Sequence, residues 1–160
     1  MLSITVLAVG RLKDRFYEDA AAEYLKRLSS YAKTKVVEIP AAALPETPSG
    51  AEISSALEKE GQEILKRIPA GAQAVALVIE GTLFSSEDLA ALLQKSAVSG
   101  VSHIVFIIGG SYGLSDTVKR RADVCLSMSK MTFPHRLARV MLLEQVYRAC
   151  KINRGETYHK

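Results

Sequence analysis

The chain has 160 residues, of which 48% are apolar and 24% charged, and its formal net charge is +4. This length fits one domain over residues 1–160 with a single core, and the composition is typical of a globular protein. No apolar run approaches the roughly 20 residues that a membrane-spanning helix needs, which excludes a membrane-spanning protein.

The N-terminal run 1–9 has neither a basic leader nor a small-residue cleavage site, so it predicts a strand rather than a signal peptide. The two cysteines, Cys125 and Cys150, both lie in apolar runs. Buried thiols in a reducing compartment fit this placement better than a disulfide or a metal pair. We therefore expect a cytoplasmic protein.

Strand-like and helix-like segments alternate along the chain. Strands are predicted at 2–9, 35–39, 74–79, 103–108 and 124–127, and helices over 13–31, 49–68, 85–98, a short stretch near 115, and 135–153. Ser49 with Glu52 and Ser85 with Asp88 form capping-box patterns at two helix starts, and the dipeptide at 80–81 is expected to turn the chain. The alternation predicts an α/β domain whose mostly parallel sheet carries helices on both faces.

The last predicted helix, 135–153, is apolar around most of its circumference. Its apolar side chains are Leu137, Ala138, Val140, Met141, Leu142, Leu143, Val146, Tyr147, Ala149 and Cys150. A helix of this kind must be buried on more than one side. In a chain this small, one side can cover the sheet and the other a second subunit, so the pattern predicts a homodimer.

Two loops of unusual composition follow the last two strands. The first, 109–115, is rich in glycine, and the second, 127–135, mixes Ser, Lys, Met and Thr with Phe133 and Pro134. Loops that leave the same ends of neighbouring parallel strands form a crevice, where open α/β sheets bind ligands. Glycines permit close approach of a flat ligand, and the second loop offers backbone groups and apolar walls suited to a purine. Each loop is also compatible with an ordinary connection.

The basic excess lies entirely in the C-terminal segment. Residues 128–160 carry seven Lys or Arg against two acids, whereas residues 1–127 carry 14 basic and 15 acidic side chains. A local positive face suits a phosphate-rich partner such as nucleic acid, although an ordinary solvated surface has the same composition. The tail, 154–160, has functional side chains and no obvious core residue, which suggests either an RNA contact or a disordered end.

Several enzyme classes lack their motifs here. The chain has no Cys/His cluster, no H-E-x-x-H and no G-x-S-x-G, which disfavours metal-dependent and serine-hydrolase chemistry. The glycines at 109, 110 and 113 are only part of a dinucleotide fingerprint, and no P-loop lysine follows them. We expect His103 to be structural and His135 to cap a helix.

Three motifs in matched order carry a resemblance to one family. They are Ile108–Leu114, Leu126–His135, and the ending Tyr147–Ala149 with Tyr158–Lys160; the opening Ile4–Gly10 and the total length also fit. The chain resembles, over its whole length, the bacterial ribosomal RNA large-subunit methyltransferase H family, a minimal group within the SPOUT (trefoil-knotted) methyltransferases.

The resemblance implies S-adenosylmethionine as methyl donor, without a metal, and N3 of a pseudouridine in helix 69 of 23S rRNA as acceptor. It also implies a cytoplasmic homodimer that acts on RNA rather than on DNA, and a C-terminal trefoil knot. We expect the assembled ribosome to be the substrate, while free rRNA and a ribosomal subunit remain open. By match to family positions, the donor site comprises Leu77, Gly109, Met128, Ser129, Lys130, Met131, Thr132 and Phe133.

The acceptor imide must lose its proton before or during methyl transfer, so a base or a cation near it would assist. Arg154, Tyr158 and His159 are the available groups outside the predicted core, and we expect them to be catalytic. Two other functions remain open from the residues alone. One is a non-enzymatic ribosome- or RNA-binding module that uses the same basic tail, and the other is a nucleotide-binding domain unrelated to RNA.

Overall fold

The computed structural model describes residues 1–160 as strands and helices that alternate strictly along the chain. They are β1 (Ser3–Val9), α1 (Arg15–Leu28), β2 (Lys33–Ile39), α2 (Gly50–Lys66), β3 (Gln73–Leu83), α3 (Ser86–Val98), β4 (His103–Ile108), α4 (Asp116–Arg121), β5 (Val124–Ser127) and α5 (His135–Asn153). The predicted five strands and five helices are confirmed. The first helix is shorter than the predicted 13–31, and β2 begins two residues earlier than predicted.

The sheet has the strand order β2-β1-β4-β3-β5, and every pair is parallel. In the centre, Val6 of β1 lies between Val36 of β2 and Phe106 of β4. The mostly parallel α/β sheet is therefore confirmed. The two unusual loops, however, do not leave neighbouring strands, because β3 lies between β4 and β5.

Side chains on the central strands alternate between two cores, as the two-residue period of a strand requires. Ile4, Val6 and Ala8 of β1 pack with α1, α3 and α5 on one face, whereas Leu7 and Val9 pack with α2 and α4 on the other. These strands are nearly continuous apolar runs because helices cover both faces of the sheet.

Helices α2 and α3 begin where the capping patterns predict. The Ser49 side chain accepts a hydrogen bond from the Glu52 N–H, and the Glu52 carboxylate accepts one from the Ser49 N–H. Ser85 and Asp88 form the same reciprocal pair before α3. Each box satisfies two backbone donors that the first helical turn leaves without partners.

The apolar circumference of α5 is covered largely within the chain. The helix packs against both α1 and α3, and its Leu142, Leu143 and Val146 are fully buried. Two neighbouring helices thus occupy much of the surface that the sequence analysis assigned to a second subunit. Val140 and Met141 remain half-buried and face a groove described below.

The expected turn at Glu80-Gly81 is wrong, because β3 runs on to Leu83. Against β5, Leu126 pairs first with Leu77 and then with Thr82, so the residues between them bulge out of the ladder. A Cβ on Gly81 would lie 2.5 Å from the carbonyl oxygen of Cys125, which explains the glycine as a close approach of two backbones.

No helix combines the length and hydropathy needed to cross a membrane. Cys125 and Cys150 are half-buried free thiols. Burial raises the pKa of the Cys150 thiol to about 11. The imidazole Nε2 of His103 lies 2.8 Å from the Thr5 hydroxyl at the start of the sheet, a structural role as predicted.

Candidate active site

A cavity of about 810 Å³ opens at the carboxyl edge of the sheet, where β3, β4 and β5 end. We call it the strand-end cavity. Its walls are the β3 bulge, residues 109–114 of the first loop, most of the second loop, and the start of α5. We call the first loop, 109–115, the glycine loop. Small-ligand sites typically measure about 300–1,000 Å³. The predicted crevice between the two loops is therefore confirmed, with β3 as an additional wall between them.

Seven of the eight residues predicted to contact a methyl donor line the strand-end cavity. They are Leu77, Gly109, Met128, Ser129, Met131, Thr132 and Phe133. Lys130 is not among the lining residues. The structure thus brings residues from three separate segments to one cavity, while their contact with a donor stays a prediction.

The glycine loop closes on itself, and this closure explains Gly109. A Cβ on Gly109 would collide with the backbone carbonyl of Gly113, and Gly113 itself has a φ of +82°. The Gly113 N–H donates to the Gly110 carbonyl at 3.1 Å. The sequence predicts that Gly109 permits close approach of a ligand. The contact in the structure is instead with the loop's own backbone, so a side chain there would reshape the cavity wall.

The second loop is held by its own serines. The Ser127 hydroxyl donates to the Ser129 carbonyl at 3.0 Å, and the Ser129 hydroxyl accepts from the Met131 N–H at 2.9 Å. Ser127 is buried, whereas Met131 is 73% exposed. These bonds shape the loop without any contact to another element. They leave the apolar side chains of Met128 and Phe133 on the cavity wall.

His135 lines the strand-end cavity, although the sequence predicted a different role for it. It was expected to cap a helix, but Pro134 occupies the N-cap position and the imidazole lines the cavity. Burial, with the nearby charges of Arg136 and Arg139, lowers the pKa of His135, so its imidazole is neutral at pH 7. A polar ring directly after the second loop was the available signal. No group of three or more His, Cys, Asp or Glu side chains in the chain could hold a metal ion.

Tyr158 corrects the expectation that the tail has no core residue. Its ring packs edge-on against Tyr147 with centroids 4.9 Å apart, and it lies under the Arg148 guanidinium at 4.8 Å. Its hydroxyl donates to the Glu144 carboxylate at 3.1 Å. Burial and the Glu144 charge raise the pKa of Tyr158. The phenol is therefore an anchored hydrogen-bond donor on α5 rather than part of a free end.

The His159 imidazole is held on both sides. Arg148 donates to Nδ1 at 3.1 Å, so Nε2 carries the proton and donates to the Glu87 carboxylate at 2.7 Å. The Arg154 guanidinium lies 4.5 Å from the Tyr31 ring centroid. None of the three predicted catalytic residues lines the strand-end cavity of its own chain.

The basic C-terminal segment is less free than its formal charge suggests. Four of its seven cations form ion pairs within the chain: Arg136 with Asp14, Arg139 with Glu38, Arg148 with Glu144, and Lys151 with Glu156. Arg139 is only 2% exposed. The expected positive face is thus reduced by partners that the linear sequence does not show.

Comparison with known proteins agrees with this architecture. Residues 2–159 match a family model described as predicted SPOUT methyltransferase. The ribosomal RNA large subunit methyltransferase H of Pelotomaculum thermopropionicum is 53% identical over 159 residues, which cover 99% of each chain. The protein of the same name from Bacillus thuringiensis is 50% identical over 99% of this chain and all of its own.

A solved structure shows the same fold. The crystal structure of a probable methyltransferase from Bordetella pertussis Tohama I aligns with a TM-score of 0.59 over 93% of this chain and 96% of that one, at 13% identity. With the family model and the two relatives, the resemblance drawn from the three sequence motifs is confirmed. The chain belongs to the SPOUT methyltransferase family and, within it, to the ribosomal RNA large subunit methyltransferase H proteins.

Proposed function

We propose that this protein is a single-domain enzyme, 1–160, that transfers a methyl group from S-adenosylmethionine to N3 of a pseudouridine in helix 69 of 23S rRNA. One observation supports this most strongly. Seven of the eight donor-site residues implied by the family surround one cavity, in a chain about half identical over its full length to rRNA methyltransferases. An rRNA substrate also favours action in the cytoplasm.

The strand-end cavity fits the chemistry of the donor. An adenosine needs a flat apolar slot with backbone hydrogen-bonding groups at its edges, and Leu77, Leu126 and Phe133 supply apolar walls beside two loops. S-Adenosylmethionine, when bound, supplies an electrophilic methyl group on a sulfonium. The protein's task is then to hold the acceptor nitrogen in line with that methyl and to exclude water, which accounts for much of the acceleration in such displacements.

The acceptor side of the reaction needs a group that handles the N3 proton. Within one chain, both imidazole nitrogens of His159 are hydrogen-bonded and Tyr158 donates to Glu144. The raised pKa of Tyr158 makes its hydroxyl a poor base, and the hydroxyl can donate to a uracil carbonyl once it leaves Glu144. We therefore assign acceptance of the N3 proton to Nδ1 of His159, once that nitrogen leaves Arg148, and orientation of the base to Tyr158 and Arg154.

In a homodimer, the tail 154–160 of one subunit would reach the donor in the strand-end cavity of the other. A groove of about 490 Å³ runs beside α5, and Val140, Met141 and Glu144 line it. It shares Leu126 and Met128 with the strand-end cavity, and Glu144 also anchors Tyr158. We propose that the second subunit covers this groove, so that the tail of one subunit serves the cavity of the other.

We also propose the trefoil knot for the C-terminal segment. The chain leaves β5 at one edge of the sheet, and four residues into α5 Arg139 already contacts the Gly10 carbonyl at the end of β1. The second loop must therefore cross the ends of β3 and β4. An experimental structure tests this proposal. The two chain ends are joined outside the protein and the backbone path is simplified step by step, and a trefoil remains only if the C-terminal segment passes through the preceding loop.

Two experiments test the proposed reaction. Isothermal titration should show one S-adenosylmethionine bound per chain, which a non-enzymatic RNA-binding module would not recognise. The second experiment incubates the protein and methyl-tritiated donor with free rRNA, the large subunit or whole ribosomes. Tritium should be incorporated into 23S rRNA, and most of it with whole ribosomes. A protein that binds ribosomes but neither binds the donor nor transfers label would contradict the proposal.

A further inference from the structure

A second cavity, of about 890 Å³, lies on the other side of the glycine loop. We call it the β1–β2 cavity, because the ends of β1 and β2 form its floor together with α2 and the loop after β2. Gly110, Ser111, Tyr112 and His135 line both this cavity and the strand-end cavity. A ligand in one is thus separated from a ligand in the other by a single wall of loop and imidazole.

Three cationic side chains line the β1–β2 cavity: Arg11, Lys13 and Arg136. The Nε of Arg136 is buried and has no hydrogen-bond partner, and the guanidinium lies 3.7 Å from its nearest carboxylate, Asp14. Arg11 and Lys13 are exposed and form no ion pair. An arginine with an unused donor beside two more cations is the arrangement that binds phosphate. Arg139, three residues further along α5, also has a buried Nε without a partner, but Glu38 and the Gly10 carbonyl engage its two terminal nitrogens.

A buried carboxyl group lines the same cavity. Glu60 of α2 is only 8% exposed, its Oε2 accepts from the Ala42 N–H at 2.8 Å, and no group in the chain bonds to its Oε1. The Oε1 atom has no partner in the chain but is open to solvent. Burial also raises the pKa of Glu60, since only the Ala42 N–H opposes it. The free oxygen is therefore placed to pair with a polar group of a ligand.

The remaining walls suit a nucleobase. Ile39, Leu44 and Leu57 are apolar, and the ring of Tyr112 is half exposed at the shared wall. Unpaired bases of RNA stack on aromatic rings and are recognised through hydrogen bonds at their edges. Cations, apolar walls, an aromatic ring and a free carboxyl oxygen are the groups that a nucleoside monophosphate unit needs for its phosphate, its base faces and its base edge.

We propose that the β1–β2 cavity binds a nucleotide of the RNA strand next to the one that is methylated, with Arg136 on its phosphate and Glu60 on the polar edge of its base. The proposal rests on the proposed function, because the strand-end cavity must hold the donor and the reacting base. Neighbouring nucleotides then lie on the two sides of the Tyr112 wall. Binding at this second position selects the nucleotide that reaches the donor.

Arg136→Gln tests the phosphate contact, and Arg67→Gln is its matched control. Arg67 is an arginine at the C-cap of α2, at the opposite edge of the sheet, where it pairs with Glu63. Binding to ribosomes purified from cells that lack this enzyme is measured by co-sedimentation over a series of KCl concentrations, with no donor present. Loss of one phosphate contact should weaken binding about tenfold and reduce the slope of log K against log salt by about one.

Glu60→Gln tests the base contact, with Glu46→Gln on the exposed loop as its control. The glutamine still accepts from Ala42 but changes the polarity of the free edge. We expect KM for the ribosome to rise about tenfold, the usual effect of one mismatched hydrogen bond, with an unchanged salt slope and unchanged donor affinity. A circular-dichroism melt identifies any variant that fails to fold, and in that case Glu60→Asp replaces it.

The outcomes separate this inference from the proposed reaction. Salt slopes and affinities for Arg136→Gln equal to those of Arg67→Gln would overturn the phosphate contact, and an unchanged KM for Glu60→Gln would overturn the base contact. If the wild type transfers no methyl group yet its ribosome binding depends on Arg136, the proposed reaction fails and the nucleotide site stands. If transfer is normal and both variants behave as their controls, the reaction stands and this site is wrong.

Discussion

The guanidinium of Arg139 forms an ion pair of 2.6 Å with the carboxylate of Glu38 and donates a second hydrogen bond, of 3.1 Å, to the Gly10 carbonyl. The arginine is 2% exposed, whereas the Glu38 side chain is 41% exposed. Three separate segments meet at this point: the ends of β1 and β2 and the first turns of α5. The pair therefore fixes the position at which α5 begins, and with it the end of the second loop.

Glu38→Gln should destabilise the fold by about 2 kcal/mol at pH 7, because it leaves a buried arginine without a counter-charge, although water screens part of the interaction at the 41% exposed carboxylate. Burial alone would raise the pKa of Glu38, but hydrogen bonds from Arg139 and the Leu12 N–H outweigh it and lower the pKa below 4.5. The pair's contribution is then complete above pH 4.5 and is lost as pH falls through the lowered value.

Urea unfolding of wild type and Glu38→Gln from pH 3 to pH 8 measures this difference. It should be constant at neutral pH and shrink in acid. Glu23→Gln is the control, since its pair with Arg27 lies on the exposed surface and contributes less than about 1 kcal/mol. Equal losses from the two substitutions would refute the structural role of Glu38.

Gly109→Ala should abolish binding of S-adenosylmethionine, because its Cβ collides with the Gly113 carbonyl and opens the loop that walls the cavity. Gly50→Ala is the matched control: nothing lies within 4 Å of a Cβ there, at the start of α2. Titration calorimetry gives the affinities and thermal melts give the stabilities. Donor binding by a folded Gly109→Ala protein at the wild-type affinity would remove the glycine loop from the site.

Deletion of Thr157–Lys160 should leave donor affinity nearly unchanged and reduce methyl transfer by on the order of a hundredfold, the usual scale for loss of acid–base assistance. It should also cost about 1 kcal/mol of stability, since the packed Tyr158 ring is lost. Tyr158→Phe retains the ring and removes the hydroxyl, whereas His159→Ala retains Tyr158. The methyl-transfer rates of these two variants show which side chain accounts for the reduced rate of the deletion. Full-rate transfer by the truncated protein would end the catalytic role of the tail.

A mixed dimer distinguishes a tail that acts on its own cavity from one that acts on its partner's. One subunit carries Gly109→Ala and the other lacks Thr157–Lys160, and two affinity tags isolate the mixed species. If the tail serves the partner, the truncated subunit keeps an intact cavity and receives an intact tail, so one working site returns. Each parent homodimer stays inactive, and an equally inactive mixed dimer would place the tail in its own subunit.

Local patterns predicted most of the fold because they are set by neighbours in sequence. The Ser49 and Ser85 boxes located two helix starts, and the apolar runs located β1 and β4. The β3 bulge was missed since Glu80-Gly81 has turn composition, while its conformation is set by pairing with β5, more than forty residues away.

The site was predicted less completely than the fold, because several of its features depend on contacts between residues far apart in the sequence. Loop composition and family motifs indicated the strand-end cavity, yet they placed Lys130 in it and omitted His135. The burial of Arg139 and the packing of Tyr158 depend on partners far along the chain, Glu38 for one and the α5 surface for the other. A count of charges or of apolar residues contains no information about such partners.

Transfer of labelled methyl to ribosomes tests the central claim most directly. Wild-type protein, methyl-tritiated S-adenosylmethionine and ribosomes lacking the modification are incubated together, and the labelled nucleoside is then identified by digestion and mass spectrometry. We expect one methyl group per 23S rRNA, on N3 of a pseudouridine in helix 69, and none with Gly109→Ala. Label on another nucleoside would contradict the assigned acceptor, and absence of label despite bound ribosomes would contradict the reaction itself.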